Sequence, residues 1–132
     1  MKLYLAGPMS GIPEQNYPAF DRAAASLRKQ GYDVVSPADL NRAAGRMGDE
    51  NAVGSEANRL LKMDIREVLE VDALVLLPGW KNSQGAKLEV IIAVSIGTPL
   101  FFWSERRQEM IALPAAETDD IPGIPSYARA RA

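Results

Sequence analysis

Three side chains have the types and settings for proton or nucleophile chemistry: Tyr4, Asp64 and Glu89. Glu89 is the only acidic residue between Gln84 and Gly97, a stretch otherwise almost wholly apolar that reads as a helix. It falls in the second turn. Partial positive charge at a helix N-terminus favours an ionised carboxylate, the form a nucleophile or general base needs. Ser83, Gln84 and Gly85 open this helix, where free backbone N–H groups can receive an anion. Gly85 lets a ligand approach the backbone closely. The other reading is a glutamate that only stabilises the helix end.

Asp64 lies within Glu56 to Glu70, where Leu60, Leu61, Ile65 and Val68 recur at helical spacing. At about 100° per residue, Asp64 projects into that apolar stripe. A carboxylate there costs several kcal/mol unless paired or hydrogen-bonded. It is either a satisfied buried Asp or a functional acid with a shifted pKa. Tyr4 alternates with Leu3 and Leu5 on a short apolar run. It is either core or a phenol placed at the sheet's active edge.

Absences narrow the chemistry. There is no histidine and no cysteine. Ser-His-Asp triads, Cys-His pairs, His-ligated zinc, disulfides and thiolates are excluded. Asp, Glu, Tyr, Lys or Ser must do any acid–base or nucleophilic work. The 132 residues suit one domain, with an apolar share of 47% and a net charge of −2. The basic residues are scattered, which argues against a nucleic-acid polymer as partner. No stretch is long and apolar enough to span a bilayer, and the N-terminal apolar run is too short for a signal peptide. A cytoplasmic protein is the expectation.

The elements that must position these residues follow from periodicity and punctuation. Strands are expected at Leu3–Ala6, Tyr32–Val35, Asp72–Leu77 and Pro99–Trp103. Helices are expected at Tyr17–Gln30, Glu56–Glu70 and Gln84–Gly97. Leu40 to Ser55 is polar with three glycines and reads as a mobile lid loop, with at most a short helical piece. Past Ser104 a short helix over Arg107–Leu113 is expected, then an irregular tail, disordered in part or docked on a neighbour. The layout is a core over 1–104 with an irregular extension over 105–132. Alternation of strand and helix predicts an α/β sandwich: a parallel sheet of four to five strands with helices on both faces. Ligands bind such sheets at the carboxyl ends of the strands, here the loops 7–16, 36–55 and 78–84. The Gly-rich turn Gly7-Pro8-Met9-Ser10-Gly11 is no P-loop, but its N–H groups could hold a phosphate.

Together "LYLAGPMSG", "NYPAFDRAAASLRKQGYDVVSPAD", "MDIREVLEVDALVLLPGW" and "NSQGAKLEVIIAVSIGTPL" resemble the nucleoside 2-deoxyribosyltransferase-like superfamily, in its DUF4406-type branch, over roughly residues 2 to 103. The resemblance implies a flavodoxin-like fold and cleavage or exchange of an N-glycosidic bond. It implies that Glu89 attacks C1′, that Asp64 assists at the base and that Tyr4 positions the nucleophile. Relatives acting on free nucleosides often have Asp six residues before the nucleophile. The 5′-monophosphate N-glycosidases have Ser, and this chain has Ser83. A nucleotide substrate is therefore expected, held by Ser83, Gly85 and the Gly7–Gly11 turn, with no metal and no cofactor. "GAKLEVI" departs from the family's GxxxELG pattern at Lys87 and Val90. Trp80 either stacks on the base or packs its loop. Lys81 and Lys87 either add charge near a phosphate or are solvated surface lysines. A homodimer or higher homo-oligomer is expected, using Val90, Ala93 and Val94 as an outward face.

Overall fold

The computed structural model describes residues 1–45 and 55–125. In strand β1 (Lys2–Ala6), Leu3 and Leu5 pack into one apolar cluster, and Tyr4 and Ala6 into another on the opposite face. Strand β3 (Ala73–Leu76) divides likewise, Ala73 and Val75 against Leu74 and Leu76. All eight are fully buried. Strands buried on both faces must be covered on both. Helices α1 (Tyr17–Lys29) and α2 (Pro37–Ala43) cover the Leu3–Leu5 face; α3 (Ser55–Glu70) and α4 (Gln84–Ser95) cover the other.

With β2 (Asp33–Val35), β4 (Leu100–Ser104) and β5 (Glu109–Ala112), the sheet runs in the order β2-β1-β3-β4-β5. The first four strands pair in parallel, and β5 is antiparallel to β4. This is a three-layer α/β sandwich with flavodoxin-like strand order. Tyr4 pairs in register with Val35 on one side and Leu74 on the other. Its phenol therefore rises from the middle of the sheet. No helix among the described residues is long and apolar enough to cross a membrane.

Helix α4 is apolar all round, a composition that requires burial on more than one side. Ser83 caps its start: the Ala86 N–H donates to Ser83 Oγ at 3.1 Å. Gly97, at φ 80°, ends it, with Thr98 N–H donating to Ala93 O at 2.8 Å and Gly97 N–H to Val94 O at 3.2 Å. This left-handed closure is open to glycine at little cost. Val90 and Ala93 face the sheet and are fully buried. The outward face is instead Leu88, Ile92 and Ile96, which corrects the face expected from sequence.

Three further expectations change. Arg107–Leu113 contains strand β5, not a helix. The hairpin turns at Gln108, φ 54°, and gives β4 a hydrogen-bonding neighbour on its outer edge. Of the expected lid, 40–55, residues 40–43 complete α2, begun by Pro37, whose fixed φ suits a first helical turn, and Ser55 opens α3. Residues 46–54 lie outside the described residues. In the described part of the segment after β5, a 3-10 turn spans Ala115–Thr118, and Ile121 and Ile124 are buried in the α4-side cluster of the same chain; residues 126–132 lie outside the described residues.

The loop leaving β1 has almost no clearance over β3. A methyl on Gly7 would sit 2.9 Å from Leu77 Cβ, inside van der Waals contact. Gly7→Ala should cost about 1–3 kcal/mol by overpacking, read as a lowered urea midpoint with an unchanged m value. An unaltered midpoint would show that the strand ends move apart freely.

Candidate active site

The sheet order reverses at β1, where one crossover leads to β2 and the next to β3. At the carboxyl ends of β1 and β3 lies a cavity of about 380 Å³, within the size range of small-ligand sites. Tyr4 forms its floor, with Gly7, Pro8, Met9 and Ser10 following from β1. The first turn of α4 supplies Ser83, Gln84, Gly85 and Ala86, and its second turn Glu89. From α3 come Leu61 and Asp64, and from the start of α2 comes Pro37. Residues 85 positions apart thus meet: Tyr4 Oη donates to Glu89 Oε2 at 2.5 Å.

Glu89 is only 6% exposed. Burial pushes its carboxyl up to about 8, the nearby Asp64 carboxylate adds to the rise, and the Tyr4 hydrogen bond opposes it. The helix N-terminus does not prevail, because Glu89 stands in the second turn and dipole effects fade beyond the first. Asp64 is raised to about 7, through burial alone. Its Oδ1 is buried and has no hydrogen-bond partner, an arrangement that costs stability unless a ligand supplies one. Tyr4 is raised well above 10, first by burial and then by the charge of Glu89. The phenol therefore remains a donor. Near neutral pH Tyr4 is thus a donor beside two carboxyls poised to exchange protons.

The β1 loop is held by an unusual turn. Glu14, Gln15 and Asn16 are all left-handed, at φ 57°, 57° and 58°. Each non-glycine residue in that region costs roughly 1–2 kcal/mol. Asn16 Nδ2 donates to Pro8 O at 2.9 Å, and Asn41 Nδ2 lies 3.9 Å from Met9 Sδ. The strained turn and α2 thereby fix the backbone of the cavity wall.

Among the residues singled out from sequence, Tyr4, Asp64, Glu89, Gly7, Pro8, Met9, Ser10, Ser83 and Gly85 line this cavity. Gly11 and Trp80 do not. Gly11 is exposed, at φ 79°. Trp80 is 5% exposed, packs in the α4-side core and borders a second hollow on the far side of its turn. Among the described residues no Lys or Arg lines the cavity. Lys81 instead pairs with Glu117 and Asp120. Gln84, expected with Ser83 and Gly85 at the opening of the helix, lines the cavity too, as do Pro37 and Asn82 from the expected ligand loops. Leu61 and Ala86 were not singled out; Leu61 lies one turn before Asp64 and Ala86 follows Gly85, so helical geometry could have found them. Among the described residues no cluster of three or more His, Cys, Asp or Glu could hold a metal ion.

The raised carboxyls have a calculable consequence. Unfolded, Glu89 and Asp64 titrate near 4.5 and 3.8; folded, near 8 and 7. Between these limits the folded state holds more protons than the unfolded one. Their linked contribution is therefore fully present below pH 4 and is lost as pH rises through 8. Glu89→Gln keeps an acceptor for Tyr4 and removes one ionisation. Its urea stability relative to the parent should improve between pH 5 and pH 8.5 by on the order of a few kcal/mol, a tenfold protonation change being worth about 1.4 kcal/mol. A difference independent of pH would show that Glu89 is not held in a dry site.

With the geometry known, likeness to other proteins can be weighed. No curated protein matches the chain. Among solved structures, the 2-deoxyribosyltransferase from Bacillus psychrosaccharolyticus, described as a biocatalyst for nucleoside synthesis, superposes with a TM-score of 0.58 at 21% identity, covering 77% of this chain and 71% of that one. A conserved protein from Enterococcus faecalis V583 superposes with a TM-score of 0.53 at 23% identity, covering 83% of this chain and 67% of that one. At these identities the likeness is one of fold. The model of the family described as "Domain of unknown function (DUF4406)" matches residues 1–102, which is most of the chain. The protein therefore belongs to the DUF4406 family, and its α/β sandwich is that of the 2-deoxyribosyltransferase.

Proposed function

We propose that the protein cleaves the N-glycosidic bond of a nucleoside or 2-deoxynucleoside 5′-monophosphate, with Glu89 as nucleophile, and that a second nucleobase can take the place of water. The observation that carries this reading is the convergence in one cavity of the Tyr4–Glu89 hydrogen bond and the unpaired Asp64 oxygen. The fold shared with a 2-deoxyribosyltransferase supports the reaction class.

The reacting form has Glu89 ionised, its proton lost to solvent, and Asp64 protonated, a minor form of the free protein because burial raises Glu89 above Asp64. In the first step its Glu89 carboxylate oxygen bonds to C1′ as the C1′–N bond breaks. The bonding pair leaves with the base, which takes the Asp64 proton. Tyr4, still protonated, orients the attacking carboxylate. In the second step water attacks C1′, gives a proton to the Asp64 carboxylate and releases Glu89. This is the two-carboxylate logic of retaining glycoside hydrolysis.

For the phosphate, Ser83 Oγ already accepts from the Ala86 N–H and keeps its own O–H to donate. The N–H groups of Gln84 and Gly85 lack intrahelical acceptors because they open the helix. With no cation among the described lining residues, protonation of the carboxyls limits repulsion of the dianion. An Asp at position 83 would restore it.

The decisive assay incubates the protein with a panel of nucleosides and 5′-monophosphates and measures free base. The expected outcome is release from monophosphates, a loss of at least about 100-fold in Glu89→Gln with nucleotide binding retained, and a shift toward nucleosides in Ser83→Asp. Release from no compound, with binding intact, would favour a non-catalytic nucleotide-binding module. Release from nucleosides alone would overturn the role given to Ser83.

We also propose that the chain forms a homo-oligomer. On α3, Leu61, Ile65 and Leu69 recur every four residues, as do Leu88, Ile92 and Ile96 on α4; Leu69, Leu88 and Ile96 are exposed and Ile65 and Ile92 half-buried. Two such ridges on contacting helices can bury themselves against a second copy about a twofold axis. Sedimentation should give a dimer for the parent and a monomer for Ile92→Glu. A monomeric parent would refute it.

A further inference from the structure

The helix that carries Glu89 has a further neighbour besides the sheet and α3. After β5 the chain turns through Ala115–Thr118 and runs back over α4. Thr118, Ile121 and Ile124 are buried, and the two isoleucines share an apolar cluster with Val90 and Ala93. Gly123, at φ 97°, passes so close to the helix that a Cβ there would meet Ile91 Cδ1 at 3.3 Å. This segment lies wholly beyond residue 102, where the family match ends.

One residue joins the segment to the cavity. Lys81 belongs to the 3-10 turn Trp80–Asn82 between β3 and α4. Its ammonium is 5.6 Å from the centroid of the Trp80 ring, 3.4 Å from Glu117 Oε2 and 3.5 Å from Asp120 Oδ1. The next two residues, Asn82 and Ser83, line the cavity; Lys81 does not. The turn is closed by Asn82 N–H donating to Gly79 O at 3.0 Å and Ser83 N–H to Trp80 O at 3.1 Å. Lys81 thus sits inside a turn closed by two backbone hydrogen bonds, one residue from Asn82 and two from the cap of α4.

We propose that residues 114–125 are a brace holding the β3–α4 turn and α4 in register with the cavity, and that Lys81 is the positioning residue coupling this brace to Ser83 and Glu89. The buried isoleucines provide adhesion, because removal of apolar surface from water is non-directional. The ion pairs provide direction: exposed pairs are individually weak, but they fix where the turn sits along the brace. Without the brace, α4 is held only by the sheet, by α3 and by its own leading turn, and its first turn can rock. The kinetic part of this inference rests on the proposed glycosidase reading; the structural part does not.

Two measurements on the full chain separate these parts. Amide hydrogen exchange is compared for the parent, Lys81→Met, Lys81→Arg and Ile121→Ala, and base release is followed in the same proteins. Lys81→Met keeps the apolar stem and removes the ammonium. Exchange over residues 80–86 should quicken in Lys81→Met and Ile121→Ala while β1 and α1 keep their protection. Turnover should fall by roughly 3- to 10-fold with KM little changed, since small misplacements of reacting groups are costly. Lys81→Arg should restore both. Unchanged exchange over 80–86 in Lys81→Met would overturn the coupling, as would quickened exchange with parental turnover. If the parent releases no base, the glycosidase reading fails and exchange alone decides the brace. If Ile121→Ala does not fold, the surface variants at Lys81 decide it.

Discussion

A carboxyl kept almost dry against a buried phenol is the constraint around which the rest of the structure is arranged. Tyr4 stands on a strand in the middle of the sheet and Glu89 on a helix packed over it. Their hydrogen bond spans the interface between two layers. Burial of Glu89 raises the free energy of its charged form, and the single Tyr4 hydrogen bond offsets only part of this. Asp64 adds a second carboxyl with an oxygen that has no partner. A fold selected for stability alone would have placed apolar side chains at 64 and 89. The polar groups remain where local stability is sacrificed, which is the usual physical signature of a site that awaits a ligand.

The sheet order makes room for that arrangement. Crossovers leaving β1 and β3 diverge, so a crevice opens at their carboxyl ends. Its walls are then stiffened locally. Three consecutive left-handed residues and the Asn16–Pro8 hydrogen bond hold the loop after β1. Ser83 stiffens the opposite wall as the cap of α4. Among the described residues no lysine or arginine enters, and backbone N–H groups and hydroxyls are the donors offered to an anion. Such donors do not themselves neutralise the nearby carboxyls, whose protonation depends on burial and on what binds.

The all-apolar character of α4 has a related explanation. A helix lying on a sheet needs one apolar stripe; this helix has apolar residues all round. One side meets the sheet, and part of the remainder meets Ile121 and Ile124 from the C-terminal segment. Ridge residues Leu88, Ile92 and Ile96 are left facing outward. An additional layer therefore grows on the helix that carries the acid, outside the span shared with the family.

Much of this was legible along the chain. Apolar runs bounded by Gly and Pro located the four parallel strands, and 3.6-residue periodicity located α1, α3 and α4, because these signals are local. The absence of histidine and cysteine by itself left acid–base work to Asp, Glu, Tyr, Lys or Ser. The first turn of α4 and the β1 loop could be named as cavity walls because both follow strand ends. Three matters were decided only by tertiary structure. The segment at Glu109–Ala112 became a strand because β4 offered an edge, and four residues carry too little pattern to resist that offer. Trp80 turned inward because its turn packs on the α4-side core, a preference no residue type reveals. The protonation of Glu89 was set by how much water the fold removes from around it: helix position argued for a charged carboxylate, and burial, a property of the whole assembly of layers, outweighed it.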